Sequence, residues 1–194
     1  MKTWGRGQRL AVAALWCAAA ATTTHAADAD LSMLSDFGRP EIFQSHLGID
    51  AGTGNTSGIA QTGNANKASI DQSGGSGNLA EVWQQGSNLS ATVVQSGVDN
   101  ELRLSQVFSN QTADLMQTGS NNQMAIWQLG LNADVSGSQV GVGNQLVLQQ
   151  QDNSSFQFSQ IGNANQMLVD LPAGMTLRVD QVGNGLSFSL HPGP

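Results

Sequence analysis

The side chains that recur at a fixed spacing in this chain are amides, whose chemistry is hydrogen bonding rather than acid–base or nucleophilic catalysis. One glutamine appears at the same position in successive units of about eleven residues. These glutamines are Gln61, Gln72, Gln84, Gln95, Gln106, Gln117, Gln128, Gln139, Gln150, Gln160 and Gln181. The last step is double, and its missing member falls near Leu171. Such regularity indicates a repeat architecture in which stacked amides form ladders of side-chain hydrogen bonds.

Residues that could catalyse a reaction or hold a metal are sparse. His46 and His191 lie far apart in the sequence and have no partners at ligand spacing, so we interpret them as surface histidines. The acidic residues are spread thinly, which argues against a carbohydrate-active β-helix enzyme with clustered carboxylates. The turns rich in aspartate, asparagine and glycine lack the phase of the nonapeptide calcium repeat. The sequence therefore predicts no catalytic site, no metal site and no cofactor.

Alternating residues before each glutamine predict the strands that position the amides. The residues two and four positions before a glutamine are apolar. The residues between them are mostly polar, as in a strand with one buried face. The predicted core consists of Leu102, Leu104, Ala113, Leu115, Met124, Ile126, Leu146, Leu148, Phe156, Phe158, Leu177 and Val179. Trp83 and Trp127 are expected on the outward face, either as partly covered aromatics or as a surface that binds dye, carbohydrate or neighbouring fibrils.

Glycine and asparagine follow most of the glutamines and predict tight reversals, because both residues tolerate positive φ. The predicted turn residues are Gly63, Asn66, Gly97, Asn100, Gly119, Asn122, Gly141, Asn144, Gly162, Asn165 and Gly183. Phe108 and Asp152 stand where glycine is expected. Each unit is therefore predicted to be a strand of about six residues followed by a reversal of about four to five.

Two arrangements accommodate such units. In a meander, consecutive strands pair antiparallel and the glutamines fall at alternating ends of the strands. In a two-sided solenoid, each strand pairs in parallel with the strand two units later, and identical amides stack about 4.8 Å apart. Repetition of one amide at one strand position is useful only in the stacked arrangement. We therefore predict an all-β fold, a two-sided parallel β-solenoid of strand-turn-strand rungs with about 11 residues per unit and about 22 per rung.

The beginning of the chain predicts export. A positively charged start, an apolar run over residues 10–21 and the sequence Thr24-His25-Ala26 are typical of a secretory signal peptide. The predicted division of the chain is a secretory signal peptide at 1–26, an irregular or disordered N-terminal segment at 27–57, the repeat β-solenoid at 58–190 and a C-terminal tail at 191–194.

The charge of the exported chain argues against nucleic acid as a partner. Beyond residue 26 it keeps all fourteen acidic residues but few basic ones, for a net charge of about −10, so no basic patch displaces counterions. The only cysteine, Cys17, lies in the predicted signal peptide, so no disulfide is expected. Acidic residues on or beside strands are expected to face outward, where stacked charges repel and slow assembly. These possible gatekeepers are Asp71, Asp114, Asp134, Asp170 and Asp180.

With these motifs the chain resembles the curlins, the subunits of bacterial curli amyloid fibres. Their repeat is a serine, five residues, then Gln-x-Gly-x-x-Asn-x-Ala and a further Gln. Residues 61–72 match this repeat well, and residues 95–106 and 117–128 match its core. The resemblance covers about residues 58–190. The segment DLSMLSDFGRPEIFQSHLGID looks more like the start of a minor, nucleating curlin than of a major one.

The resemblance implies a structural subunit of extracellular fibres that serve adhesion and the biofilm matrix, and no enzymatic activity. It implies other curlin subunits and the curli export and accessory proteins as partners, with no small-molecule substrate. It also implies secretion through the bacterial envelope to a fibre at the cell surface. Neither end of the repeat has an obvious cap, so we expect assembly or nucleation by strand stacking at open ends. The alternative is a soluble secreted β-solenoid that binds a surface, carbohydrate or ice without polymerising.

Overall fold

The computed structural model describes residues 54–192, and all regular structure in this range is β-strand. The predicted signal peptide, most of the predicted N-terminal segment and His46 lie outside the described residues. The strands are β1 (Thr56–Asn64), β2 (Lys67–Ser73), β3 (Leu79–Ser87), β4 (Ser90–Val98), β5 (Glu101–Ser109), β6 (Thr112–Ser120), β7 (Gln123–Gln128), β8 (Asp134–Val142), β9 (Gln145–Gln150), β10 (Ser155–Asn163), β11 (Gln166–Leu171), β12 (Thr176–Val182) and β13 (Ser187–Leu190). Among these residues there is no helix that could cross a membrane.

Consecutive strands alternate between two parallel sheets. One sheet has seven strands in the order β1-β3-β5-β7-β9-β11-β13, and the other has six in the order β2-β4-β6-β8-β10-β12. Each strand pairs in parallel with the strand two further along the chain, so Gln106 lies beside Gln128 and Gln95 beside Gln117. The predicted two-sided parallel β-solenoid with rungs of about 22 residues is confirmed. The antiparallel meander is wrong.

A thin apolar layer fills the space between the two sheets. Its buried members come from both sheets and include eleven of the twelve predicted core residues, while Val179 is partly buried. Phe158 also fills the space left by Gly137, its neighbour in register, where an added Cβ would come within 2.6 Å of the Phe158 ring. Bulky and small residues on adjacent rungs therefore compensate for each other in the core.

Several strands run further than the sequence predicts. The strands β4, β6, β8 and β10 each have nine residues and continue past the glutamine through the predicted turn glycine. Gly119 illustrates the reason, because its φ is 114° and a Cβ there would collide with the carbonyl oxygen of Gly141 on the next rung. The glycines bend the extended strand into a corner where neighbouring backbones approach closely. The predicted reversal of four to five residues is too long for these units, since only Asp99 and Asn100 separate β4 from β5.

Candidate functional site

Two columns of glutamine side chains run along the solenoid, one on each sheet. In each column the Nε2 of one glutamine donates a hydrogen bond to the Oε1 of the glutamine on the next rung. In the seven-stranded sheet the steps are Gln61 to Gln84 at 2.6 Å, Gln84 to Gln106 at 2.7 Å, Gln106 to Gln128 at 2.8 Å and Gln128 to Gln150 at 3.2 Å. In the six-stranded sheet they are Gln72 to Gln95 at 2.8 Å, Gln95 to Gln117 at 2.7 Å, Gln117 to Gln139 at 2.9 Å, Gln139 to Gln160 at 2.7 Å and Gln160 to Gln181 at 2.8 Å.

Each ladder also joins the two sheets. The Nε2 of Gln117 donates a second hydrogen bond to the backbone oxygen of Glu101, the first residue of a strand in the opposite sheet, at 3.0 Å. The Nε2 of Gln106 does the same with the backbone oxygen of Ser90 at 3.1 Å. An unpaired buried amide costs about 1–3 kcal/mol. The ladders therefore favour one register over all others.

The two glutamine ladders end differently. In the seven-stranded sheet, Leu171 takes the position after Gln150 and is fully buried, so the ladder stops there. In the six-stranded sheet the ladder continues to Gln181 on the last strand of that sheet. This second ladder therefore reaches the C-terminal end of the described solenoid.

A ladder of buried asparagines lies at one edge of the solenoid and was not predicted as a ladder. Its members are Asn78, Asn100, Asn122, Asn144 and Asn165. Both the backbone N–H and the Nδ2 of Asn122 donate to the Oδ1 of Asn100, at 3.2 and 3.0 Å. Its Nδ2 also donates to the oxygen of Gly141 on the next rung at 3.0 Å. The sequence signal that could have predicted this ladder is the spacing of about 22 residues between its asparagines. That spacing extends back to Asn78, which is not among the predicted turn residues.

The opposite edge has a different composition. The predicted turn residue Asn66 accepts a hydrogen bond from the backbone of Leu89, and the buried ladder does not continue because Leu89 has no amide. Instead, exposed asparagines with φ of 54 to 57° bond to one another there. They are Asn88, Asn110, Asn132 and Asn153. Phe108, at its predicted glycine position, has φ of 91° and is 55% exposed, and Asp152 instead accepts a bond from the Leu131 N–H at 2.7 Å.

The five predicted gatekeepers lie on the outer surface, but no two of them are paired in register. Asp71, Asp114 and Asp134 are exposed, while Asp170 and Asp180 are half-buried. Asp114 lies between Thr92 and Ser136 in its sheet, and the other four also have uncharged neighbours. Within the described solenoid, none of the five therefore stacks directly on another, and their role in slowing assembly stays a prediction. The nearest two, Asp114 and Asp134, lie on adjacent rungs two positions apart in register.

Oppositely charged side chains pair once between neighbouring rungs and twice within a strand among the described residues. Arg103 pairs with Glu81 on the neighbouring rung at 3.1 Å and with Glu101 on its own strand at 2.8 Å. Asp180 pairs with Arg178 at 3.0 Å. Pairs of this kind at the surface contribute little stability, but they remove like-charge contacts from the stack.

The two tryptophans are half-buried on the outer face of the seven-stranded sheet. Trp83 and Trp127 flank Ser105 in register, and Ser105 is fully buried between them although it faces outward. The Trp127 Nε1 and the Ser105 Oγ are buried without hydrogen-bond partners. The rings therefore cover the sheet surface rather than standing free in solvent.

Both ends of the described solenoid present strands that are paired on one side. Among residues 54–192, β1 pairs only with β3, β2 with β4, β12 with β10 and β13 with β11. Ile59 belongs to the core column, beside Val82, yet it is 43% exposed, and no rung formed by the described residues covers it. Val82, one rung further in, is fully buried. The core and both sheets are thus open at the end formed by β1.

Within the same described range, no group of three or more histidine, cysteine or acidic side chains could hold a metal ion. The features that repeat are the ladders, the core columns and the open strand edges.

The family model of the curlin-associated repeat matches residues 97–130. This segment runs from the corner glycine of β4 through β5, β6 and β7, so it contains one complete rung with its glutamines and asparagines. The chain therefore contains a curlin-associated repeat. The other rungs of the solenoid keep the register of the matched one. Curlins are structural proteins rather than enzymes. Neither the curated proteins nor the solved structures compared with the chain gave a match.

Proposed function

We propose that this protein is a subunit of extracellular curli-type fibres and that it assembles, or nucleates assembly, by stacking rung on rung at its open ends. The curlin repeat supports the assignment to a fibre subunit with other curlin subunits as partners. The observation that carries the stacking mechanism is the open core at β1, where Ile59 is 43% exposed in a column that is otherwise buried.

Within the described residues, the β1 strand carries neither of two features that commonly protect an edge strand, a charge or a proline. Its nine residues, TSGIAQTGN, contain no proline and no charged side chain. Soluble β-proteins blunt such edges with charges, proline, bulges or a covering element. A long, neutral edge in register with an amide ladder is instead a template on which another strand can add.

The proposed place of action is the cell surface, after export through the bacterial envelope by dedicated export and accessory proteins. There the fibre serves adhesion and the biofilm matrix, as the family resemblance implies. We propose the nucleating role of a minor curlin in preference to that of a bulk subunit. A nucleator presents its open end to soluble major subunits, which then continue its two sheets.

A single charge at the open end tests the mechanism. Ile59→Asp places a carboxylate in the core column, where a second copy would bury it, while Ile161→Asp makes the same change on the outer face. The two isoleucines are 43% and 45% exposed, so both variants are expected to fold as monomers. We expect Ile59→Asp to abolish fibre growth and Ile161→Asp to retain it, because burying an unpaired charge costs several kcal/mol. Thioflavin fluorescence and sedimentation of the exported chain measure growth, with circular dichroism as the folding control.

Two results would contradict the proposal. Fibre growth of Ile59→Asp at the rate of Ile161→Asp would show that the open end is not the growing surface. A wild-type chain that stays monomeric and does not shorten the lag of a major curlin would favour the soluble binding module. Seeding of a major curlin by trace amounts of the chain, at levels too low for its own assembly, is the result expected of a nucleator.

A further inference from the structure

The described solenoid contains an odd number of strands. Because consecutive strands alternate between sheets, the seven-stranded sheet contains both the first strand, β1, and the last, β13. The thirteen strands therefore form six complete rungs and one half rung. Among residues 54–192, no strand lies opposite β13 to complete that last rung.

This half rung restricts how a second copy can continue the stack. If the next copy is only translated, its β1 lies on β13, and one strand position in the six-stranded sheet stays empty. If the next copy is also turned by half a revolution about the stacking axis, its β1 lies on β12 and its β2 lies on β13. Only the second arrangement keeps both sheets and the core continuous.

We infer that successive copies of this protein are related by a half-turn, so that β1 of one copy extends the six-stranded sheet of the copy before it. The inference rests on the proposed function, since it describes the junction that stacking creates. Its partner is a second copy of this chain, and its contact surfaces are the edges of β12 and β13 on one side and of β1 and β2 on the other.

The register of β1 fits the end of the six-stranded sheet. Aligning Gln61 with Gln181 continues the open glutamine ladder and places Ile59 over Val179 in the core column. The Nε2 of Gln181 donates one hydrogen bond, to the oxygen of Gln166 at 3.1 Å, which leaves its second N–H to donate to the Oε1 of Gln61 in the next copy.

The corner glycine of the last complete rung has room for this neighbour. A Cβ on Gly162 would collide with the carbonyl oxygen of Gly183 on the next rung. A Cβ on Gly183 would meet only the side chain of Leu186, because no backbone covers that corner. With Gln61 over Gln181, the backbone of Gly63 occupies the equivalent place.

The second strand continues the apolar column over β13, while Gln72 lies over Pro192 and does not extend a ladder. With β2 on β13, Ala68 lies over Phe188 and Ile70 over Leu190, and these two residues of β13 are apolar and only partly buried. The same register places Asp71 beside His191, a pairing of opposite charge when the histidine is protonated.

The translated arrangement gives a poorer match. With the β13 register continued by two residues, it places Gln61 over Pro192, as the half-turn places Gln72, but it also leaves the open ladder at Gln181 without a next glutamine. It also places Ser57 over Phe188, a polar residue over an apolar one.

A segment of this chain before residue 54 is another candidate for the empty strand position in the six-stranded sheet. Counted back from Gln61 by eleven residues, however, the sequence has Asp50 where a ladder amide is needed, and a carboxylate cannot donate to the next amide.

Two cysteine pairs distinguish the arrangements, because the exported chain has no cysteine of its own under the predicted cleavage. In the half-turn junction, Thr62 lies beside Val182 of the preceding copy, and both residues are exposed. In the translated junction, Ala60 lies beside His191 instead. Neighbouring rungs are about 4.8 Å apart, within the Cα separation that a disulfide spans. Fibres grown from Thr62→Cys/Val182→Cys and from Ala60→Cys/His191→Cys are therefore oxidised, dissolved and analysed by non-reducing electrophoresis.

We expect loss of the monomer band and a series of linked oligomers from Thr62→Cys/Val182→Cys alone, with single-cysteine variants giving at most dimers. Cross-linking of Ala60→Cys/His191→Cys in place of the first pair would overturn the half-turn. This holds whether the missing strand position is empty or is filled by an earlier segment of the chain. Fibres that link neither pair would also overturn it. Absence of fibres from the wild-type chain would instead contradict the proposed function itself.

Helical reconstruction of the fibres gives a second, label-free measurement. The half-turn junction predicts a rise of about 31 Å per subunit, six and a half rung spacings, with a rotation near 180° apart from accumulated sheet twist. A rise of about 34 Å, seven rung spacings, with little rotation would overturn it.

Discussion

At the scale of single residues, the structure uses side-chain amides because only an amide donates and accepts at once. Asn122 shows this clearly. Its Nδ2 donates to Asn100 and to the backbone of Gly141, while its Oδ1 accepts from the backbone N–H and the Nδ2 of Asn144. All of these bonds lie in a buried corner, so each side chain fixes the position of the next rung.

The adjacent residues Asn121 and Asn122 allow this role to be measured. Asn122→Asp keeps the shape of a buried side chain but replaces its donor with a charged oxygen that faces the Asn100 and Gly141 oxygens. We expect the free energy of unfolding to fall by about 3 kcal/mol or more, because a buried donor network is broken and a charge is buried. Asn121→Asp makes the same change at an exposed position and is expected to alter stability by about 0.5 kcal/mol or less.

Urea denaturation of the freshly refolded chain, followed by circular dichroism, measures both variants. Equal stabilities for the two variants would contradict the structural role of the asparagine ladder.

At the scale of elements, the glutamine ladders set the register of the strands. Gln117 accepts a bond from Gln95, donates to Gln139 and also bonds the facing sheet through the backbone of Glu101. Leucine does occur at a ladder position, at Leu171, but there the ladder ends and only Gln150 loses a partner. A leucine in the middle of a ladder would remove a hydrogen-bond partner from the glutamine on each neighbouring rung.

Gln117→Leu is therefore expected to lower the free energy of unfolding by about 2–5 kcal/mol, because the Gln139 Oε1 and the Glu101 backbone oxygen lose the Gln117 donor and Gln95 loses one of its hydrogen bonds in a buried site. Gln157→Leu, at an exposed outward position of β10, is the matched control and is expected to have little effect. Denaturant unfolding of both variants tests this. A Gln117→Leu chain as stable as the control would mean that apolar packing alone sets the register.

The period of the glutamines was enough to predict the sheets, their parallel pairing and the rung length. It could not show which corners hold a buried asparagine ladder, because that ladder repeats once per rung and the glutamines repeat twice. The glutamine period also could not predict that Gly119 lies inside a strand. Glycine is required there because the backbone of the next rung approaches closely, and not because the chain turns. The glutamine period also did not reveal the half rung at β13. When the register of β13 is continued by two residues, the ladder position holds Pro192 and not a glutamine.

At the scale of the whole molecule, the net negative charge is expected to oppose the proposed stacking of copies without being concentrated at any one contact. The described range carries nine acidic residues and three basic ones. None of the predicted gatekeepers is directly paired with another in register, so in the proposed fibre their repulsion would be spread along the stack and grow as copies are added.

We therefore expect the lag of fibre growth to be shorter at pH 4 than at pH 7, because partial protonation of the carboxylates lowers the net negative charge. Added salt at pH 7 should also shorten the lag by screening. Asp71→Asn and Asp114→Asn should shorten it at pH 7 and change it less at pH 4. Thioflavin kinetics at fixed concentration measure all three effects. A lag independent of pH, salt and these substitutions would identify the aspartates as ordinary surface residues.

The central claim is that the parallel rungs of one copy continue into the next. X-ray diffraction from aligned fibres of the exported chain tests it most directly. We expect a sharp meridional reflection at about 4.8 Å from rungs stacked along the fibre axis and an equatorial reflection at about 10 Å from the two facing sheets. Fibres without a 4.8 Å reflection, or with that reflection on the equator, would contradict the account.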